Sequence, residues 1–227
     1  KEDYMSSVYL LIFVSIAITL GAQILISARY SKYSKIQNKR EISGVEVAQE
    51  ILKKNGLDNI YVVETRGYLS DHYDPGAKVI RLSSDVFHGK TLSASAVAAH
   101  EVGHAIQHKE GNFFMKLRKF IFPVVNICSK FGYIAILIGL IFGSLKLFYV
   151  GIAMLVAILF FQLVTLPVEF DASKRAKQEL YKLNIASEEE NTGVKKVLGA
   201  AAMTYVAGVL TSILQILRLL YIFYDRD

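Results

Sequence analysis

Two histidines four residues apart stand in the run His100-Glu101-Val102-Gly103-His104. If that run is helical, both imidazoles lie on one face, one turn apart, and both reach a single tetrahedral ion. Glu101 adjoins the first of them. It is placed to take a proton from a metal-bound water without ligating the metal, and zinc brings the pKa of such a water towards ~7. The chemistry implied is hydrolysis by zinc-activated water. Two unrelated surface histidines fit less well, because Ala96, Val97, Ala98, Ala99, Val102, Ala105 and Ile106 mark a largely buried helix. Two close histidines in such a setting need a partner. The single cysteine, Cys128, lies within an apolar run, so neither a Cys-based zinc cluster nor an intramolecular disulfide can form.

A catalytic zinc takes three protein ligands and keeps one position open. The longer pattern that adds a glycine and then a third histidine is excluded, since Gln107 and Glu110 hold those two places. The remaining ligand is then expected to be a carboxylate from elsewhere. Glu169 is the first choice: it follows Pro167 at the end of an apolar run, where a helix can begin, and a carboxylate so placed is costly unless paired or coordinated. Asp171 is the rival. Glu179 and the acids at 188–190 read as solvated faces. His108 lies two turns beyond His100, about 12 Å along the axis, too far to share the ion. His72, in Asp71-His72-Tyr73-Asp74, is a candidate donor to a tetrahedral oxyanion, as are Tyr73 and Tyr205.

These residues need elements to hold them. Residues 93–108 read as the histidine-bearing helix, capped by Ser93 or Ser95. Residues 44–54 have helical spacing, with Val45, Ala48, Ile51 and Leu52 on one face and Gly56 able to end it. Residues 60–64 and 78–83 read as strands, forming a small hairpin or sheet around the turn signal Asp74-Pro75-Gly76. If the second strand is a sheet edge, it can pair with an extended peptide.

The rest of the chain is apolar in blocks. Hydrophobic residues make up 53% and charged ones 20%, and mean hydropathy is +0.36. Residues 4–28 carry no charge, enough to span a bilayer. They read as an anchor rather than a signal peptide, since the chain opens Lys1-Glu2-Asp3 rather than on a basic segment. Residues 120–168 form a hairpin of two spans and residues 197–224 a fourth, in which Arg218 is a functional candidate by its position. The intervening regions are 29–119, a metallopeptidase core opening on a basic linker at 29–45, and 169–196, a helix and charged loop carrying the third ligand. Arg29, Lys32, Lys35, Lys39 and Arg40 follow the first span, and Lys174, Arg175, Lys177 and Lys182 follow the third. Basic residues mark the cytoplasmic side, so both regions are expected there. In this setting the net charge of +6 points to anionic lipid rather than nucleic acid.

At this point the chain resembles a known family. Residues 68–76 (YLSDHYDPG), 79–83 (VIRLS), 98–108 (AAHEVGHAIQH) and 167–173 (PVEFDAS) resemble the YugP-type neutral zinc metallopeptidases of bacterial membranes. More remotely the chain is similar to the HtpX-type and CAAX prenyl proteases, membrane gluzincins whose third ligand is the first Glu of an E-x-x-A-D pattern. Residues 169–173 match at Glu169 and Ala172 and depart at Ser173, where the pattern has Asp. The departure bears on what supports the zinc ligands.

The fold expected is mainly α: about four transmembrane helices and a small α+β, zincin-like cytoplasmic domain of a short sheet and the histidine helix. The function expected is a zinc metalloendopeptidase of the bacterial cell membrane. It would hold Zn2+ on His100, His104 and Glu169, with Glu101 as base and His72 at the oxyanion, and would cut cytoplasmic peptides or juxtamembrane protein segments. Two rivals differ in class. A site-2-type protease cutting within the bilayer would need a zinc helix long enough to cross it, and this one is bounded by polar residues at both ends. A non-enzymatic scaffold with structural zinc would need a fourth protein ligand.

Overall fold

The structure, a computed structural model, describes residues 2–224, with side chains described for 6–223. Lys1, the one basic residue counted before the first span, lies outside them. The elements run α1 (Glu2–Tyr33), α2 (Gly44–Lys54), β1 (Tyr61–Thr65), β2 (His72–Asp74), β3 (Val79–Ser83), α3 (Ser84–His88), α4 (Leu92–Lys109), α5 (Phe113–Ile141), α6 (Leu145–Lys182) and α7 (Glu188–Tyr224). The protein is mainly helical with one small sheet. Four helices, α1, α5, α6 and α7, are long and apolar enough to cross a membrane. It is a multi-span membrane protein with a small α+β part.

The chain divides into two compact units. One comprises residues up to 23, 116–166 and from 204 onward; the other comprises 24–115 and 167–203. The first is built from the long helices, with Phe148 fully buried and stacked on Phe223 at 4.2 Å between ring centroids. The second has its own core, in which Val47, Ile51, Ile80, Leu82, Val86, Val102, Leu180 and Ile185 are wholly or almost wholly buried.

Within the second unit the sheet order is β1-β3-β2. β1 pairs with β3 in parallel and β2 pairs with it antiparallel. Of the hairpin or sheet expected, the sheet is what forms. The strands around 60–64 and 78–83 do not form a hairpin, because the three-residue β2 intervenes and makes the Asp74-Pro75-Gly76 turn with β3. Nor is β3 an edge open to a peptide, since it is the central strand and both its sides are paired. The alternation along β3, with Ile80 and Leu82 buried, fixes the register against the core.

Helix boundaries follow local chemistry. α2 ends where Gly56 adopts φ +61° and Leu57 N–H donates to Leu52 O at 2.9 Å, the left-handed closure that glycine adopts without strain. The cap of α4 is Thr91, whose Oγ1 accepts Ala94 N–H at 3.2 Å. Ser93 and Ser95, the expected caps, lie two and four residues past it, and bind Tyr30 O and Asn38 Nδ2 instead. Helix α1 runs on through Tyr33 into what reads as a linker: Tyr33 joins the second unit's core, and Tyr30 is buried too. α7 begins at Glu188 within the expected charged loop. Ser187 and Glu190 cap it reciprocally, Ser187 N–H donating to Glu190 Oε2 at 2.6 Å and Glu190 N–H to Ser187 Oγ at 3.2 Å.

The largest difference concerns Pro167. No helix begins there; α6 passes straight through it. An interior proline removes one backbone hydrogen bond and costs ~3 kcal/mol. The stripe Val168, Ala172, Ala176 and Leu180, each at most 1% exposed, recurs every four residues and holds the second half of the helix against the core.

Candidate metal centre

The imidazoles of His100 and His104 stack edge to face on α4, with centroids 4.8 Å apart. Both turn their Nε2 atoms to one carboxylate oxygen, Glu169 Oε2, at 3.2 Å from His100 and 3.5 Å from His104. One ligating atom from each residue falls within 4.8 Å of the others. Zinc–nitrogen and zinc–oxygen bonds of 2.0–2.1 Å place the ligand atoms of a tetrahedral site about 3.3 Å apart. The two histidine–carboxylate distances match that spacing, and among the described residues this is the one such group of three that could hold a metal ion. Glu169 is 2% exposed and Glu101 and His104 are 8% exposed, so the charge needs a counter-charge where it lies. Burial alone favours neutral His104. The adjoining Glu169 and Glu101 carboxylates outweigh it and push its pKa above the ordinary imidazole value, so a proton competes for the place that suits a cation.

What lets α6 deliver Glu169 is the glycine between the histidines. A Cβ on Gly103 would stand 2.7 Å from the carbonyl oxygen and 3.2 Å from the Cα of Ala172. The two backbones therefore approach more closely than any other residue at 103 permits. On an exposed helix, replacing glycine by alanine gains about 1 kcal/mol. Here the sign reverses. Gly103→Ala is expected to destabilise the protein by about 1–3 kcal/mol, as overpacking does, and to weaken zinc binding by moving Glu169 away. Thermal unfolding and zinc content in detergent check it.

Both histidines are oriented from behind. His104 Nδ1 donates to Gln107 Oε1 at 3.0 Å, while Gln107 Nε2 donates to Val168 O and Asp171 Oδ2, each at 2.8 Å. This arrangement uses every polar atom of the amide in one orientation, which leaves the Nε2 lone pair of His104 towards Glu169. Arg175 continues the chain, donating to Asp171 at 2.8 Å and pairing with Glu110 at 2.7 Å. His100 Nδ1 and Ser173 Oγ are hydrogen-bonded at 3.2 Å. Ser173 thus does for His100 what the doubted fifth position of the E-x-x-A-D pattern left open, and Asp171 acts on His104 through Gln107. Such outer partners are worth 10–100-fold in metal affinity. Gln107→Leu, which keeps the volume and removes all three hydrogen bonds, is expected to weaken zinc by about that factor, read by competition with a chromogenic chelator.

The other candidates fall elsewhere. His72 is exposed on β2, opposite Arg81, and its Nδ1 is bonded to Ser70 O at 2.8 Å. Among the described residues no hydrogen bond joins it to His100, Glu101 or His104. Tyr73 points to the other face, opposite Ile80, and its hydroxyl meets His108 Nδ1 at 3.0 Å; burial raises its pKa. Tyr205 and Arg218 belong to the other unit. Gln107, Ser173, Arg175 and Gly103 escaped the sequence reading. Gln107 had a signal: it stands three residues past His104, on the same helix face.

A family model described as "putative neutral zinc metallopeptidase" matches residues 8–224. The chain is 46% identical, over 222 residues, to a Bacillus subtilis (strain 168) protein named "Putative membrane protease YugP", an alignment covering 96% of this chain and 99% of that protein. No solved structure matches.

Proposed function

This chain belongs to the neutral zinc metallopeptidase family, and from that premise we propose that it is a gluzincin-like endopeptidase cutting cytoplasmic or juxtamembrane protein segments. The observation that carries the reading is the convergence of His100 Nε2 and His104 Nε2 on Glu169 Oε2 at 3.2 and 3.5 Å, beside a fourth residue, Glu101, that the supporting network does not engage.

His100, His104 and Glu169 would hold the ion. Zinc, when bound, supplies the Lewis acid that polarises a scissile carbonyl and makes water acidic enough to react near neutral pH. Glu101 takes the proton of the attacking water and passes it to the leaving amine. Gln107, its amide N–H groups committed to Val168 and Asp171, accepts from His104 Nδ1 and so keeps that Nε2 free of a proton, while Ser173 orients the His100 ring through its Nδ1.

The membrane side and substrate class rest on two supports. The basic residues at 29–40 and 174–182 all belong to the unit that holds the site, and such clusters favour the cytoplasmic face. The start of α4 is bound to the end of α1 through Ser93 Oγ–H to Tyr30 O at 2.9 Å, and to the segment just after it through Leu92 N–H to Ile36 O at 2.9 Å. The site therefore lies a short helix segment from a chain that has just left a span. Purified full-length protein is expected to degrade unfolded casein, to lose that activity with a zinc chelator and to regain it with added zinc. Casein left intact by zinc-loaded protein would contradict a general endopeptidase.

A further inference from the structure

We infer that the loop between β1 and β2, at residues 66–71, is a membrane-interface anchor, with Tyr68 and Leu69 seated among lipid headgroups and upper acyl chains. Tyr68 is 62% exposed and Leu69 37% exposed. Neither is stray: the loop is built to present them. Ser70 Oγ bonds Arg66 O and Gly67 O at 3.1 and 3.3 Å, closing the loop on itself. Asp71 pins its far end to β3, accepting Ser83 N–H at 2.7 Å. Leu69 is held at φ +52°, a left-handed conformation that non-glycine residues adopt at a cost. The loop is closed by these bonds and leaves Tyr68 largely, and Leu69 partly, uncovered by the described residues.

The occupant follows from what the loop touches. The Tyr68 ring packs edge to face on Tyr30, with centroids 5.7 Å apart. Tyr30 stands two residues past the uncharged run 4–28, within the apolar helix Ser6–Tyr33, about 3 Å along the axis from the run's last residue. If α1 crosses the bilayer, Tyr30 lies at the interface, and Tyr68 in contact with it lies at the same depth. Exposed Lys32 and Arg66 flank the tyrosines. Tyrosine with nearby Lys and Arg is the composition that sits at headgroup level. The lipid contact does not depend on the peptidase reading. Its consequence does: an anchored loop would hold the site beside segments leaving the membrane and favour them as substrates.

The chain contains no tryptophan, so one introduced residue is the sole indole reporter. Tyr68→Trp, Leu69→Trp and, as reference, Tyr61→Trp would be made in full-length protein and reconstituted in lipid nanodiscs. Tyr61 is 70% exposed and lies at the far end of β1, about 13 Å from Thr65. The emission of Tyr68→Trp and Leu69→Trp is expected to be quenched by nitroxide placed high on the acyl chain and shielded from aqueous iodide, with Tyr61→Trp showing the reverse. Iodide quenching at 68 and 69 equal to that at 61, with no effect of the lipid label, would overturn the anchor. Two positions guard against one substitution disturbing the loop. Casein cleavage measured on the same samples reports the peptidase reading separately.

Discussion

Glu101→Gln is expected to retain zinc and lose proteolysis by on the order of 10²–10⁴-fold, the usual contribution of a general base. The substitution keeps the side chain's shape and removes its basicity. Glu101 lies outside the hydrogen bonds that hold His100, His104 and Glu169, so zinc content, thermal stability and substrate affinity are expected to stay near wild type. The loss then falls on kcat. Measured casein cleavage that survives the substitution would remove Glu101 from the reaction. Zinc lost together with activity would make Glu101 a ligand or a structural residue instead.

Glu169→Ala is the second large effect. Whole structural zinc sites are worth about 10–16 kcal/mol in binding free energy, so one of three protein ligands accounts for several kcal/mol. Zinc affinity is therefore expected to fall on the order of 10³-fold, at 1.4 kcal/mol per factor of ten. Purified Glu169→Ala protein should carry little metal by mass spectrometry where wild type carries one zinc per chain. Asp171 is poorly placed to substitute, because its Oδ2 already accepts from Gln107 and Arg175. Undiminished zinc in the variant would contradict the ligand assignment.

The parts of the site written in one segment were legible from residues alone. The four-residue spacing of His100 and His104 is a local geometric signal, and the alanines around them announce a helix that packs closely. Glu169 was reached by a chemical argument about an acid beside an apolar run, and the structure brings it to both histidines. The reason given, a helix starting after Pro167, does not hold. The buried stripe from Val168 to Leu180 outweighs the proline's local preference, and single-residue propensity cannot weigh that packing. The sheet was foreseen, but its third strand and its pairing order were not. β2 is three residues long, and the parallel pairing of β1 with β3 is a long-range contact that leaves no local pattern. The support from Gln107, Ser173 and Arg175 was illegible because each acts across two helices. Their meeting depends on the close approach at Gly103, which only the packed backbone reveals.

The most direct test of the central claim is X-ray absorption at the zinc edge on the wild-type protein in detergent. Two imidazole nitrogens and one carboxylate oxygen are expected at about 2.0–2.1 Å, with a fourth, exchangeable light-atom ligand from solvent. A first shell with a single imidazole, or with four protein ligands and no solvent position, would contradict it.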